Sequence, residues 1–170
     1  MSSLLKLPPL SLYVHIPWCV EKCPYCDFNS HTLKGGIPEQ EYVAHLLDDL
    51  STDLSFVQGR ELQTIFFGGG TPSLLSEHAM DTLLKGIEAR IPFDKNIEIT
   101  LEANPGTLET NKFKGYAASG VNRISVGVQS FEADKLKTLG RIHNQDEALK
   151  AASFAHSAVP TFNLDLMHGL

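Results

Sequence analysis

Apolar positions along the chain recur with two alternating periods. Leu10–Ile16, LSLYVHI, is rich in aromatic and β-branched residues and predicts a strand. Across residues 38–56 the period changes. Tyr42, Val43, Leu46, Leu47, Leu50 and Leu54 fall on one helical face, with Glu41, Asp48 and Asp49 largely elsewhere. Leu62–Phe67, LQTIFF, predicts a buried strand stopped by three glycines. Residues 76–90 predict a helix with Ser76 as N-cap and Pro92 beyond its end. Asn96–Ala103 alternates as a strand does, and residues 108–118 predict a helix that stops at Gly120. Arg123–Gln129 predicts a strand, residues 132–157 one or two helices, and Thr161–Met167 a last strand.

Strands separated by helices predict parallel βαβ units with right-handed crossovers. Such units build an open doubly wound sheet or a barrel. The unusual residues fall consistently at strand ends. Cysteines follow the first strand, GGGTPS follows the second, EANPG closes the third, GVQS closes the fourth, and Asp165 lies near the end of the fifth. Both architectures build sites at the carboxyl ends of their strands. Contributions from successive strands converge more readily on a barrel mouth, so the expected fold is α/β, a partial (β/α) barrel forming one core domain over residues 1–170. No helical pattern follows the last strand, and an exposed hydrophobic edge strand is a liability. The chain is therefore expected to be the front part of a longer protein.

Composition narrows the function classes. The 170 residues, 42% of them hydrophobic, suffice for one domain with a core. A net charge of −6 and a pI near 5.6 argue against broad nucleic-acid binding, and with it an RNA-modifying activity. No apolar run approaches the roughly 20 residues that span a bilayer. Pro8 and Pro9 interrupt the N-terminal apolar stretch, unlike a signal peptide. The expected compartment is the cytoplasm, where thiols stay reduced and a tight cysteine group points to metal binding or catalysis.

All three cysteines lie in IPWCVEKCPYCDFNSH, at Cys19, Cys23 and Cys26. An odd number cannot be consumed by internal disulfides. Tetrahedral zinc in a Cys₃His set with His31, with His15 also near, is one reading. An iron–sulfur cluster is the other. A cubane normally takes four thiolates. Three leave one iron with an open position, where a substrate or cofactor can bind. The glycines of GGGTPS allow close backbone approach to a ligand. The stretch lacks the lysine of a GxxxxGK[ST] loop, which disfavours a nucleoside triphosphate.

Together with LYVHIPWC, PYCDFNSH, FFGGGTPSLL, EANPGT, NRISVGVQSF, LGRIHN and FNLDLMHGL, the CxxxCxxC spacing resembles the radical S-adenosylmethionine (SAM) superfamily, from about residue 8 to Leu170. Within it, the chain is similar to the oxygen-independent coproporphyrinogen III oxidases and the heme chaperones related to them. The resemblance implies a barrel of the radical SAM type, with Cys19, Cys23 and Cys26 ligating a [4Fe–4S] cluster. The fourth iron would chelate SAM, which an electron from the cluster then cleaves. The resemblance further implies SAM contacts for Tyr13, Tyr25, Gly69, Gly70, Thr71 and Glu102. Gln129, Arg141 and Asp165 would surround a second SAM or substrate pocket. Asp165, between Leu164 and Leu166, would need a ligand or a paired cation if buried.

The implied partners are an electron donor and either a porphyrinogen substrate or heme with an acceptor protein. The oxidases carry a cysteine two residues beyond the third cluster ligand. Here Phe28 stands at that place, which favours the heme-chaperone reading over decarboxylation of coproporphyrinogen III in porphyrin biosynthesis. Family heme-binding elements are expected beyond Leu170. His143 and His168 are read as ordinary polar residues.

Overall fold

The structure is a computed structural model and describes residues 6–106 and 111–170. In chain order its elements are β1 (Leu10–Ile16), β2 (Trp18–Cys19), β3 (His31–Thr32), α1 (Glu39–Asp53), β4 (Leu62–Gly69), α2 (Glu77–Glu88), β5 (Phe93–Ala103), α3 (Phe113–Ala118), β6 (Arg123–Gln129), α4 (Ala133–Thr138), α5 (Gln145–Ala158) and β7 (Thr161–Leu166). Of the helix expected over 108–118, residues 108–110 lie outside the described residues. The segment 132–157 resolves into the two helices α4 and α5.

Five strands form one sheet in the order β1-β4-β5-β6-β7, and every neighbouring pair is parallel. This order decides between the two expected architectures. A doubly wound sheet reverses direction at a switch point, whereas here each strand is added beside its predecessor, as in a barrel wall. The sheet is thus a partial (β/α) barrel, and all its carboxyl ends lie along one rim. A second, two-stranded parallel sheet pairs β2 with β3, matching Trp18 with His31 and Cys19 with Thr32.

Strand parity separates two faces. Ile65 and Phe67 of β4, Ile99 and Leu101 of β5, and Ile124, Val126 and Val128 of β6 are buried in the core. Each fully buried aliphatic or aromatic side chain of this kind contributes about 1.5–3 kcal/mol. α2 supplies Ala79, Met80, Leu83, Leu84 and Ile87 to the same core, spaced as one helical stripe. α5 supplies Ala148, Ala151 and Ala155, whose small side chains allow close approach. The alternate strand positions carry Glu98, Thr100 and Glu102 of β5, Arg123, Ser125, Gly127 and Gln129 of β6, and Asn163 and Asp165 of β7. The barrel's inner face is therefore polar.

Strand β4 runs two residues farther than LQTIFF suggests, because Gly68 and Gly69 continue the pairing with His15 and Ile16. The turn after it is held from outside the sheet. The Tyr116 hydroxyl donates to Ser73 O and Leu75 O, both at 2.7 Å. Lys112 Nζ donates to Leu74 O and Leu75 O, both at 3.1 Å.

Ser76 caps α2 as expected: its Oγ accepts from Ala79 N at 3.1 Å. The same residue ties α2 to α1, since Ser76 N and Oγ both donate to Glu39, each at 2.6 Å. Ser76→Ala should destabilise the protein by about 1–2 kcal/mol, read as a lower denaturant midpoint at unchanged slope.

Candidate functional site

The cysteine loop leaves β1 and returns at β3, and several bonds fix its course. Gly70 N donates to Ile16 O and Thr71 N to Trp18 O, both at 2.7 Å, joining the start of the loop to the glycine turn. A Cβ on Gly70 would lie 2.5 Å from Trp18 O and 2.9 Å from Ile16 O, so only glycine fits between these carbonyls. Gly69 has φ +112°, a conformation that L side chains rarely adopt, and a Cβ there would meet the His15 ring at 2.6 Å. His15 Nε2 donates to Asn29 O at 2.7 Å, which leaves Nδ1 to accept from the Tyr13 hydroxyl at 3.0 Å. Lys22 Nζ donates to Phe28 O at 3.3 Å and Ser30 O at 3.2 Å. Tyr42 donates to His15 O at 2.7 Å, with its ring edge against Trp18. A polar loop thus acquires a defined path over the barrel rim.

Between loop and rim lies a cavity of about 320 Å³, within the usual range for small-molecule sites. Cys19, Cys23, Cys26 and Tyr25 line it from the loop. Gly69, Gly70, Thr71, Glu102, Gln129 and Asp165 line it from the strand ends, and Arg141 from the loop between α4 and α5. All three cysteines are free thiols. Of the residues named for the cluster or SAM, Tyr13 does not line the cavity, and neither does His31, the fourth ligand of the zinc reading, which is exposed on β3. Tyr13 lies on the inner face below, 55% exposed and stacked over Phe66. Among the described residues no three His, Cys, Asp or Glu side chains gather around one point as a single metal ion would require.

Burial pushes the Glu102 carboxyl above its ordinary range; Asp165 adds to this, while the Gly69 N–H and His15 oppose it. Asp165 itself is exposed. Among the described residues its hydrogen-bond donors are Ser125 Oγ and Asn163 Nδ2, each at 2.6 Å, and not the cation expected for a buried carboxylate. Gln129 sits at φ +61°, uncommon for a residue other than glycine. Such backbone strain persists where surrounding structure enforces it, often at functional sites. Tyr25 is raised by partial burial, with Arg141 and Cys23 acting on it in opposite directions. His143 is buried, with Nε2 placed 3.1 Å from Val128 O. Burial, then Arg141, lowers its pKa, so it serves as a neutral donor.

Asn104 and Ser125 also line the cavity and were not among the nominated residues. Both were accessible to strand parity: Asn104 lies two positions beyond Glu102, and Ser125 two before Gly127. Asn104 Nδ2 donates to Thr71 Oγ1 at 3.1 Å, and its Oδ1 accepts from Arg141 Nη2 at 2.7 Å.

Fold and site together define an α/β half-barrel that brings three thiols and a polar strand-end wall to one cavity. The chain belongs to the radical SAM superfamily, whose family model matches residues 13–170. Membership implies SAM and a [4Fe–4S] cluster as cofactors. The residues present fit such groups. Three thiols stand at one rim, the Gly69–Gly70 backbone leaves a cradle without side chains, and buried Gln129 Oε1 and Arg141 Nε have no hydrogen-bond partner among the described residues.

The chain is 63% identical over 168 residues to the heme chaperone HemW of Escherichia coli strain K12, covering 98% of this chain and 44% of that protein. It is 61% identical over 170 residues to HemW of Haemophilus influenzae, covering 97% of this chain and 44% of that one. This chain therefore spans less than half the length of these relatives. Its structure is similar to that of the radical SAM enzyme coproporphyrinogen III oxidase, HemN, from Escherichia coli. There the TM-score is 0.85 and the identity 29%, over 95% of this chain and 38% of the other.

The Glu102 shift has a signed consequence. A carboxyl raised by burial makes its ionised form a cost to the fold, present above the unfolded value and absent below it. Glu102→Gln should therefore raise the thermal midpoint of the metal-free protein at neutral pH. The gain should vanish as pH falls below the ordinary value of 4.5.

Proposed function

We propose that this chain is the cluster-bearing core of a heme chaperone, a protein that binds heme and delivers it to an acceptor. The observation that carries the reading is the 63% and 61% identity to heme chaperones across nearly the whole chain. Phe28 supports it. This side chain is 64% exposed and lines the cavity, at the place where the resembled oxidases carry a cysteine. The second reading, oxidative decarboxylation of coproporphyrinogen III, is supported by the likeness to HemN at 29% identity.

In this reading Cys19, Cys23 and Cys26 hold the [4Fe–4S] cluster, and their loop is kept in place by Lys22 and His15. The cluster supplies a one-electron reductant and an open iron position for SAM. Glu102 and the Gly69–Thr71 backbone orient polar atoms of SAM, with Tyr25 beside the cluster loop and Tyr13 below the cavity. Gln129, Arg141 and Asp165 bound the side of the cavity assigned to a second SAM or to substrate. An electron donor and a heme-acceptor protein complete the set of partners, and the cytoplasm is the compartment in which free thiols would stay reduced. Among the described residues no helix is long and apolar enough to cross a membrane.

Anaerobic reconstitution of the full-length protein should load about four irons per chain, and Ala at any of the three cysteines should abolish the charge-transfer absorption. Stoichiometric zinc without a cluster would overturn the cluster assignment.

Full-length, reduced protein should bind heme, followed by its absorption band, and should not convert coproporphyrinogen III to protoporphyrinogen IX. Robust turnover without heme binding would reverse the order of the two readings.

A further inference from the structure

We propose that Arg141 sets the reduction potential of the cluster through the sulfur of Cys23, and that Asn104 is the positioning residue that aims it. The inference rests on the reading that the three cysteines carry a cluster, and it extends that reading to a residue outside the ligand set.

Arg141 lies in the loop between α4 and α5, far from Cys23 in sequence. Its Nη1 donates to Cys23 Sγ at 3.5 Å. Its Nη2 donates to Asn104 Oδ1 at 2.7 Å and to Gly127 O at 2.6 Å. Asn104 is in turn fixed by its Nδ2, which donates to Thr71 Oγ1 at 3.1 Å. A continuous polar chain therefore runs from the end of β4, across the ends of β5 and β6, to one cysteine sulfur. Two acceptors on the strand ends hold the guanidinium fork, so its charge is aimed at Cys23 before any ligand arrives.

The chemistry of a metal-bound thiolate gives this arrangement a consequence. The thiolate is the ligand form of cysteine, and its sulfur carries part of the cluster's negative charge. Reduction adds one electron from a one-electron donor, with no bond made or broken and no proton required. An N–H donor and a fixed positive charge at the sulfur favour the more negative, reduced form, so they raise the potential. Arginine stays protonated throughout the accessible pH range. Lys22, the other basic residue lining the cavity, directs its Nζ to Phe28 O and Ser30 O. His143, close to Arg141, is turned to Val128 O. Among the described residues, the charge directed at a cysteine sulfur is that of Arg141.

The test is a redox titration of full-length, anaerobically reconstituted protein without SAM, read by the amplitude of the reduced cluster's paramagnetic resonance signal. Arg141→Gln should lower the midpoint by at least the equivalent of a tenfold change in the reduction equilibrium, 59 mV for one electron. Asn104→Ala should lower it in the same direction by less. The double variant should fall no lower than Arg141→Gln alone, because Asn104 acts through Arg141. An unmoved midpoint in Arg141→Gln at wild-type iron content, or full additivity in the double variant, would overturn the proposal. If Arg141→Gln loses iron, Asn104→Ala and Arg141→Lys decide, and wild-type midpoints in both overturn it. A wild-type protein that takes up no iron would remove the cluster reading and this inference together. A normal cluster with an unmoved midpoint would remove this inference alone.

Discussion

Two backbone hydrogen bonds govern the rest of the site: Gly70 N–H to Ile16 O and Thr71 N–H to Trp18 O. They continue the β1–β4 ladder beyond the last sheet pair and bind the start of the cysteine loop to the glycine turn. The spacing they impose excludes any side chain at Gly70. Without them the loop would carry three thiols on a polar segment with no core of its own. With them Cys19 is buried and paired through β2 with β3, while Cys23 and Cys26 stay at the cavity. The glycine turn is braced from its other side by Tyr116 and Lys112, which do not themselves line the cavity.

The sequential strand order explains why so many polar residues can share the inner face. In a doubly wound sheet both faces are covered by helices and the strands read as continuous apolar runs. Here the outer face alone meets helices, and it takes Phe67, Leu101, Val126 and their neighbours. The inner face is then free to carry Thr100, Arg123, Ser125 and Asn163, which satisfy one another. Arg123 donates to Thr100 Oγ1 and to Asn163 Oδ1, and Asn163 donates to Ser125 Oγ. Ser125 and Asn163 in turn donate to Asp165, so the stack holds that strand-end carboxylate.

Much of this was legible in the sequence, for identifiable reasons. The bounds of β1 and β6 follow from period-two alternation, and the Ser76 cap from its place before an apolar stripe. The end of β4 was not legible, since glycine reads as a breaker but pairs here as strand. The exposure of Asp165 was not legible, because flanking leucines suggest burial, whereas β7 lies at the edge of the sheet among the described residues and leaves the carboxylate exposed. Tyr13, nominated by resemblance, does not line the cavity, and a Cβ on Gly68 would meet its ring at 3.0 Å and Glu102 Oε2 at 3.1 Å. The positive φ of Gln129 and the contact of Arg141 with Cys23 depend on backbone and distant-loop geometry that no local pattern encodes.

On the strand-end wall of the cavity both charged side chains are carboxylates, whereas the cysteine loop contributes one charge of each sign, Glu21 and Lys22. Glu102 and Asp165 stand on the strand-end wall, where burial first and then the Asp165 charge make Glu102 harder to ionise. Arg141 stands toward the cysteines, occupied with Cys23 and with acceptors at the strand ends. A ligand bearing positive charge gains most beside the two carboxylates, where it relieves their repulsion and the cost of burying Glu102. A group rich in negative charge gains most beside the Arg141 fork. Glu102 and Asp165 would suit the cationic part of a sulfonium-bearing amino acid derivative, and Arg141 would suit the thiolate-bound cluster beside it. The same division disfavours a polyanionic ligand across the whole cavity. A phosphate chain long enough to reach Glu102 would meet a carboxylate that already faces Asp165, and the glycine turn offers it no lysine.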